Sequence, residues 1–256
     1  MLEKSPFDLS SLGNCWYWWY KADSGSQPDY GRGSYILFEQ VFNMSGIRAG
    51  RQKYYNVFAH FYDFFINIHS GKHRDETRRF LVDSAPIDTL NQARILDVCC
   101  GTGSVILAFA EKYPDALTTA YDFSAGMLSK AKQKEMGNRI VFVLGDAARL
   151  AYLDDCFDVV CCSHALYELK GRVRTDALME MKRVVKPDGK VLIMEHEVPR
   201  NPAVKILFHM RMLMMGSTDS REFVRQDLSP YKKIFTDVTL SHTPSGKSKL
   251  IICGKK

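Results

Sequence analysis

A chain of 256 residues, 46% hydrophobic and 25% charged, can bury one sizeable core with an extension, which excludes a disordered or low-complexity protein. Its formal net charge of +6 suits an anionic small molecule, a phospholipid surface or RNA about equally, and singles out none of them. The N-terminus lacks the apolar core of a secretion signal and no uncharged run has bilayer length, so the expected location is cytoplasmic, or peripheral on the inner membrane surface.

Residues 1–50 combine an aromatic cluster, Trp16 to Tyr20, with the turn-rich SGSQPDYGRGS, and read as an aromatic arm or lid. Aromatic residues recur at helical spacing from Arg51 to His69, including Phe58, Phe61, Tyr62, Phe64 and Phe65, and Lys72 to Val82 continues as a charged amphipathic helix. Residues 51–90 are thus covering helices on the substrate side, and 91–256 the core domain. After Pro86 strands and helices alternate. Strands are expected at Arg94–Cys99, Leu117–Asp122 and Ile140–Leu144, with helices at Ser104–Lys112 and Ala125–Met136, the latter capped by Ser124 and ended by Gly137 and Asn138.

The second half repeats the alternation. It offers strand Phe157–Ser163, helix Thr175–Val185, a Pro187-Asp188-Gly189 turn, strand Lys190–Glu195, a Met-rich helix over Pro202–Met215 and a closing hairpin, Val238–His242 with Lys249–Cys253. The fold class is therefore α/β: a doubly wound, mostly parallel, seven-stranded sheet of the Rossmann-like kind with an antiparallel edge hairpin and an N-terminal helical extension. The neighbouring pairs Cys99, Cys100 and Cys161, Cys162 form no CxxC clamp and read as reduced packing residues without a structural metal; a zinc or arsenic site is the alternative.

Chemistry concentrates at ILDVCCGTG, Ile95–Gly103, a buried strand that ends in an acid and a glycine turn. Ile106 stands where a dinucleotide fingerprint needs its third glycine, and no GK[ST] of a phosphate loop follows. What remains is a turn without a phosphate cradle, suited to a nucleoside that carries an amino acid, such as S-adenosylmethionine. Asp122, about 20 residues past the glycines, can accept from a ribose diol. Asp146, in the GDA after the third strand, can accept from the adenine amine, and Asp97 with the turn carbonyls suits the cationic methionine end. Cys99, Gly101, Gly103, Phe123, Ala147 and Ser163 complete the candidate cofactor set.

Acids at successive strand ends in this order resemble the class I S-adenosylmethionine-dependent methyltransferases. Across Tyr54–Lys256 the chain is similar to the UbiE-type ubiquinone/menaquinone C-methyltransferases: AHFYDFF with HRDETRRF is similar to their substrate-side helices, and RVVKPDGKVLIMEHEVP to their helix, turn and fifth strand. Two departures stand out: Cys99 replaces the usual opening glycine, and SHALYEL, with Tyr167 and Glu168, replaces an Arg-Asn pair after the fourth strand.

The resemblance implies methyl transfer to a small lipophilic or aromatic acceptor, quinone-like and methylated at carbon. His164, Tyr167 and His196, which follow strands four and five, are the candidate bases or orienting donors. Tyr62, Met210 and Met214 are the candidate acceptor contacts, in an apolar pocket flanked by Lys205, Arg211 and Arg221. A phospholipid or other amine N-methyltransferase and a non-catalytic cofactor-binding module are the alternatives. RNA methylation ranks below them, because no nucleic-acid module is present and the basic residues are scattered. The expected partner is a small-molecule acceptor, membrane-associated or free, with no nucleic acid and no metal.

Overall fold

The computed structural model describes residues 36–37, 52, 55–56, 59, 73–87, 92–137, 139–198, 205–206 and 227–255. In chain order these give strands β1 (Ile36–Leu37), β2 (Arg94–Val98), β3 (Leu117–Asp122), β4 (Ile140–Leu144), β5 (Phe157–Ser163), β6 (Val185–His196), β7 (Asp237–His242) and β8 (Ser248–Gly254). The helices are α1 (His73–Asp83), α2 (Ser104–Lys112), α3 (Ala125–Lys134), α4 (Arg172–Val184) and α5 (Ser229–Lys232).

The strands form one sheet in the order β1-β4-β3-β2-β5-β6-β8-β7. Pairing is parallel from β1 through to β6, and β8 enters antiparallel between β6 and β7. The expected seven-stranded, doubly wound sheet with its antiparallel hairpin is present, and β1, a two-residue strand inside the stretch read as an arm, extends it at the β4 edge.

β2 is central because it can be buried on both faces. Ile95 packs with Leu81, Ile106, Phe109 and Leu128 under α1 to α3, while Leu96 and Val98 face the second core formed with α4, Tyr231 and Phe235. An unbroken apolar run is what a strand covered on two sides requires. Since β2 to β6 run the same way, their carboxyl ends and the turns after them share one edge of the sheet, where ligands of open α/β sheets bind.

Several boundaries differ from expectation for identifiable reasons. β2 stops at Val98 because Cys99 turns into the left-handed region at φ 58°. α3 is capped by Ser124, whose Oγ accepts from Met127 N at 3.2 Å, but it ends at Lys134 instead of reaching Met136. Glu135 is already extended, and its carboxylate accepts from the amides of Arg139 and Ile140, tying the turn to the start of β4. α4 begins at Arg172, earlier than expected, and ends at Val184. The Pro187-Asp188-Gly189 turn does not separate helix from strand, since Val185 already pairs with Phe157 and the register shifts before Val159 meets Lys190. The turn is a bulge within β6.

Candidate active site

The first loop at the carboxyl edge is a tight, internally bonded turn. Cys100 N donates to Tyr121 O at 3.1 Å and Gly103 N to Cys100 O at 3.0 Å. Gly101, at φ 54°, aims its N–H at Asp122 Oδ2, 2.9 Å away. A Cβ on Gly101 would meet nothing, so glycine serves the backbone conformation there and leaves the mouth open; a Cβ on Gly103 would lie 2.8 Å from that of Ala131, so Gly103 makes room for α3.

Asp97 and Asp122 differ in their wiring. Asp122, 5% exposed, accepts from Gly101 N through one oxygen and from Ser124 N at 2.8 Å through the other. A carboxylate offers about four lone-pair sites, so acceptor capacity remains for a diol. Burial pushes its carboxyl up to about 6, against these backbone bonds. Asp97, 1% exposed, receives the weak Cys161 thiol on Oδ1, at 3.5 Å, and Oδ2 has no close hydrogen-bond partner among the described residues. Desolvation pushes its carboxyl up to about 7, the Cys161 bond opposing and the Asp122 charge reinforcing. A buried carboxylate oxygen left unpaired at a strand end is expensive unless a cation or donor arrives. The ammonium of S-adenosylmethionine is such a partner, and the residues present fit that cofactor.

The next two loops extend the same mouth. Phe123 stacks edge-on with Tyr55, ring centroids 5.5 Å apart. Gly145 is required because a Cβ there would fall 1.9 Å from the Tyr121 hydroxyl. Asp146 is half-buried, its Oδ1 accepting from Ala148 N at 3.0 Å, and Ala147 is buried in the α4-side core.

Beyond β5 and β6 the three proposed chemical residues meet. The His164 and His196 rings lie 4.4 Å apart and Tyr167 packs 5.4 Å from His196. His164 sits at φ 51°, donates its N–H to Met194 O at 2.7 Å, and has both ring nitrogens engaged: Nδ1 with Ser163 Oγ at 3.0 Å, Nε2 with Ser248 Oγ at 3.2 Å. Tyr167 lies on a short 3₁₀ turn, Leu166–Glu168, whose carbonyls at Leu166 and Tyr167 receive the buried Arg174 guanidinium at 2.9 and 3.5 Å.

Beside His196, Glu195 is 1% exposed with neither carboxylate oxygen hydrogen-bonded among the described residues; burial pushes it up to about 8, with Lys249 and Arg174 opposing. The sequence does not single out Glu195, Arg174 or Ser248, and it marks Cys161 only as a packing residue. Glu195 alone carried a signal, as an acid inside an apolar strand.

The four paired cysteines are free thiols. Burial pushes the thiols of Cys100 and Cys161 up, while Cys162 is pushed up chiefly by its bond to Cys99 and then by burial. No cluster that could hold a metal occurs among the described residues. Tyr62, Met210, Met214, Arg211, Arg221 and the Trp16–Tyr20 cluster lie outside the described residues. Of the Met-rich segment only Lys205 and Ile206 are described, both helical, with Ile206 62% exposed.

Comparison with known proteins bears on the family and the fold. A methyltransferase-domain family model matches residues 95–189. The chain is 33% identical over 167 residues to the ubiquinone/menaquinone biosynthesis C-methyltransferase of Geotalea daltonii, spanning 63% of this chain and 69% of that protein. It is 32% identical over 171 residues to a demethylmenaquinone methyltransferase of Staphylococcus aureus, spanning 64% and 69%. Among solved structures, human N-acetylserotonin methyltransferase in complex with S-adenosylmethionine matches with a TM-score of 0.57 at 16% identity, over 79% of this chain and 56% of that one. A Pyrococcus horikoshii protein matches with a TM-score of 0.54 at 19% identity, over 77% and 99%. These two share the fold. By sequence and fold together, the chain belongs to the UbiE-type ubiquinone/menaquinone C-methyltransferase family and is a class I S-adenosylmethionine-dependent methyltransferase.

Proposed function

We propose that the acceptor is a lipophilic quinol, methylated at a ring carbon, and that the aromatic wall of His164, His196 and Tyr167 receives it. The observation that carries this reading is the meeting of these three rings at the ends of β5 and β6, on the same edge of the sheet as Asp97 and Asp122. A flat acceptor ring can stack against such a wall. The two quinone-methylating relatives act on this class of molecule by name.

When bound, the cofactor supplies an electrophilic methyl carbon on a sulfonium. Asp122 and Asp146 would hold its ribose and adenine ends and Asp97 its ammonium. The Ser163 and Ser248 hydroxyls engage both nitrogens of His164, which makes His164 an orienting wall. His196 takes the proton of the quinol hydroxyl, which raises electron density at the neighbouring ring carbon. Once that carbon carries the methyl, its own hydrogen leaves to solvent as a proton and His196 returns the first proton to the oxygen, restoring the hydroquinone. Fixing two bound reactants in near-attack geometry supplies roughly 7–11 kcal/mol in favourable systems, so orientation is the protein's main contribution. Among the described residues no helix is long and apolar enough to cross a membrane, so a long-tailed acceptor would be met at a membrane surface or delivered from one.

The test uses purified protein, cofactor labelled in its methyl group, and 2-prenyl-1,4-naphthohydroquinone. Label on the ring carbon next to the hydroxyl supports the proposal. Label on phosphatidylethanolamine supplied in the same vesicles, with the quinol unchanged, replaces it with amine N-methylation. Cofactor binding without turnover on either leaves a binding module.

A further inference from the structure

Residues 52, 55, 56 and 59 are helical and spaced as one helix face, and the first three touch the loop after β3. Gln52 Nε2 donates to Phe123 O at 2.8 Å, and Tyr55 packs on the Phe123 ring. Asn56 Oδ1 accepts twice, from Ser124 Oγ at 2.7 Å and from Gly126 N at 3.1 Å. The approach is so close that a Cβ on Gly126 would lie 2.8 Å from the Asn56 Cα and carbonyl oxygen. Ser124 in turn donates its N–H to Asp122 Oδ1 at 2.8 Å and caps α3 through Met127 N. An unbroken chain of hydrogen bonds therefore runs from Asn56 through Ser124 to the carboxylate proposed to hold the ribose.

We infer that Asn56 is a positioning residue for cofactor binding: it fixes the Asp122–Gly126 loop so that Asp122 presents its free lone pairs to the ribose diol. The inference rests on the ribose assignment of Asp122 made above. Its chemistry is specific, because Asn56 acts on the loop only as an acceptor. A carboxylate at position 56 can make the same two bonds, and negative charge is favoured at the N-terminus of α3. The contact also needs a bare α-carbon at Gly126, since any side chain there would push the Asn56 backbone away.

The experiment titrates S-adenosylhomocysteine into full-length wild type, Asn56→Ala, Asn56→Asp and Gly126→Ala by calorimetry, with thermal melting of each. Expected are binding about tenfold weaker for Asn56→Ala and Gly126→Ala, and near-wild-type binding for Asn56→Asp. Gly126→Ala replaces glycine with a better helix former, so weaker binding with an unreduced melting temperature separates lost positioning from lost folding. It also keeps the test intact should Asn56→Ala fail to fold. Wild-type affinity in either Asn56→Ala or Gly126→Ala overturns the inference, as does Asn56→Asp binding as weakly as the alanine variant. Absence of binding by wild type strikes the cofactor-site reading instead.

Discussion

At the scale of single residues, the site holds two side chains in a backbone region that L-residues avoid. Cys99 at φ 58° and His164 at φ 51° both lie in turns at the carboxyl edge, and such conformations cost about 1–3 kcal/mol each. Cys99 is tolerated because its side chain is unbranched and packs on the α4-side core. Cys99→Gly should therefore fold and bind cofactor at least as well as wild type, whereas Cys99→Val, branched at Cβ, should lose about 1–2 kcal/mol of stability in denaturant melts. Equal stability of the glycine and valine variants would show that the turn is not strained. His164 has no such latitude, since its amide and both ring nitrogens are already committed. His196 is the proposed base. His196→Ala should lower kcat on the naphthohydroquinone by about 100-fold or more while cofactor affinity stays within about twofold. A kcat loss of less than about threefold would return the wall to a purely packing role.

At the scale of elements, Ser124 is one residue in two structures. It caps α3 by accepting from Met127 N, and it donates to Asn56 and Asp122. Removing the hydroxyl in Ser124→Ala should cost about 1 kcal/mol as a lost cap and weaken cofactor binding as well. Stability lost with affinity intact would confine Ser124 to the helix. The cap was legible in the sequence because Ser before an amphipathic run is a local signal, as were β2 to β5, whose apolar runs are bounded by Gly, Pro and Asp. The other end of α3 was not legible. It is set by Glu135 reaching amides of residues 139 and 140, a bond across a turn that outranks the stop signal of Gly137. The bulge in β6 escaped for a similar reason, since Pro187 and Gly189 spell a turn and only pairing with β5 shows that the strand resumes beyond it, in a shifted register. In the candidate site, the acids Asp97, Asp122 and Asp146 could be singled out because each lies at or just beyond the end of a strand. Asn56 could not, because its role depends on a docking distant in sequence.

At the scale of the whole molecule, three buried carboxyls keep their protons to higher pH in the folded chain than in the unfolded one: Asp97 is pushed up to about 7, Asp122 to about 6 and Glu195 to about 8, each chiefly by burial. Their unfolded values are the ordinary 3.8, 3.8 and 4.5, so between those values and the folded ones the native state binds more protons than the unfolded chain. Stability from these groups therefore falls as pH rises from the ordinary carboxylate range to about 8, and levels off above it. Glu195→Gln, which stays neutral and retains its shape, should remove part of that decline: its melting temperature relative to wild type should climb between pH 5 and pH 8, and a constant difference would contradict the buried-proton account. The cofactor acts on the same balance with the opposite sign. An ammonium beside the unpaired Oδ2 of Asp97 favours the ionised carboxylate, so binding below about pH 7 must expel the proton that the free protein holds there. Affinity should accordingly rise with pH up to about 7 and then flatten. Titrations near pH 6 in two buffers of different ionisation enthalpy should report net proton release, and Asp97→Asn should both weaken binding and abolish that release. Proton release of the same size in Asp97→Asn would move the linked group to Asp122. Affinity that does not change with pH would mean that Asp97 meets no cation, and the assignment of the ammonium to that strand end would fall.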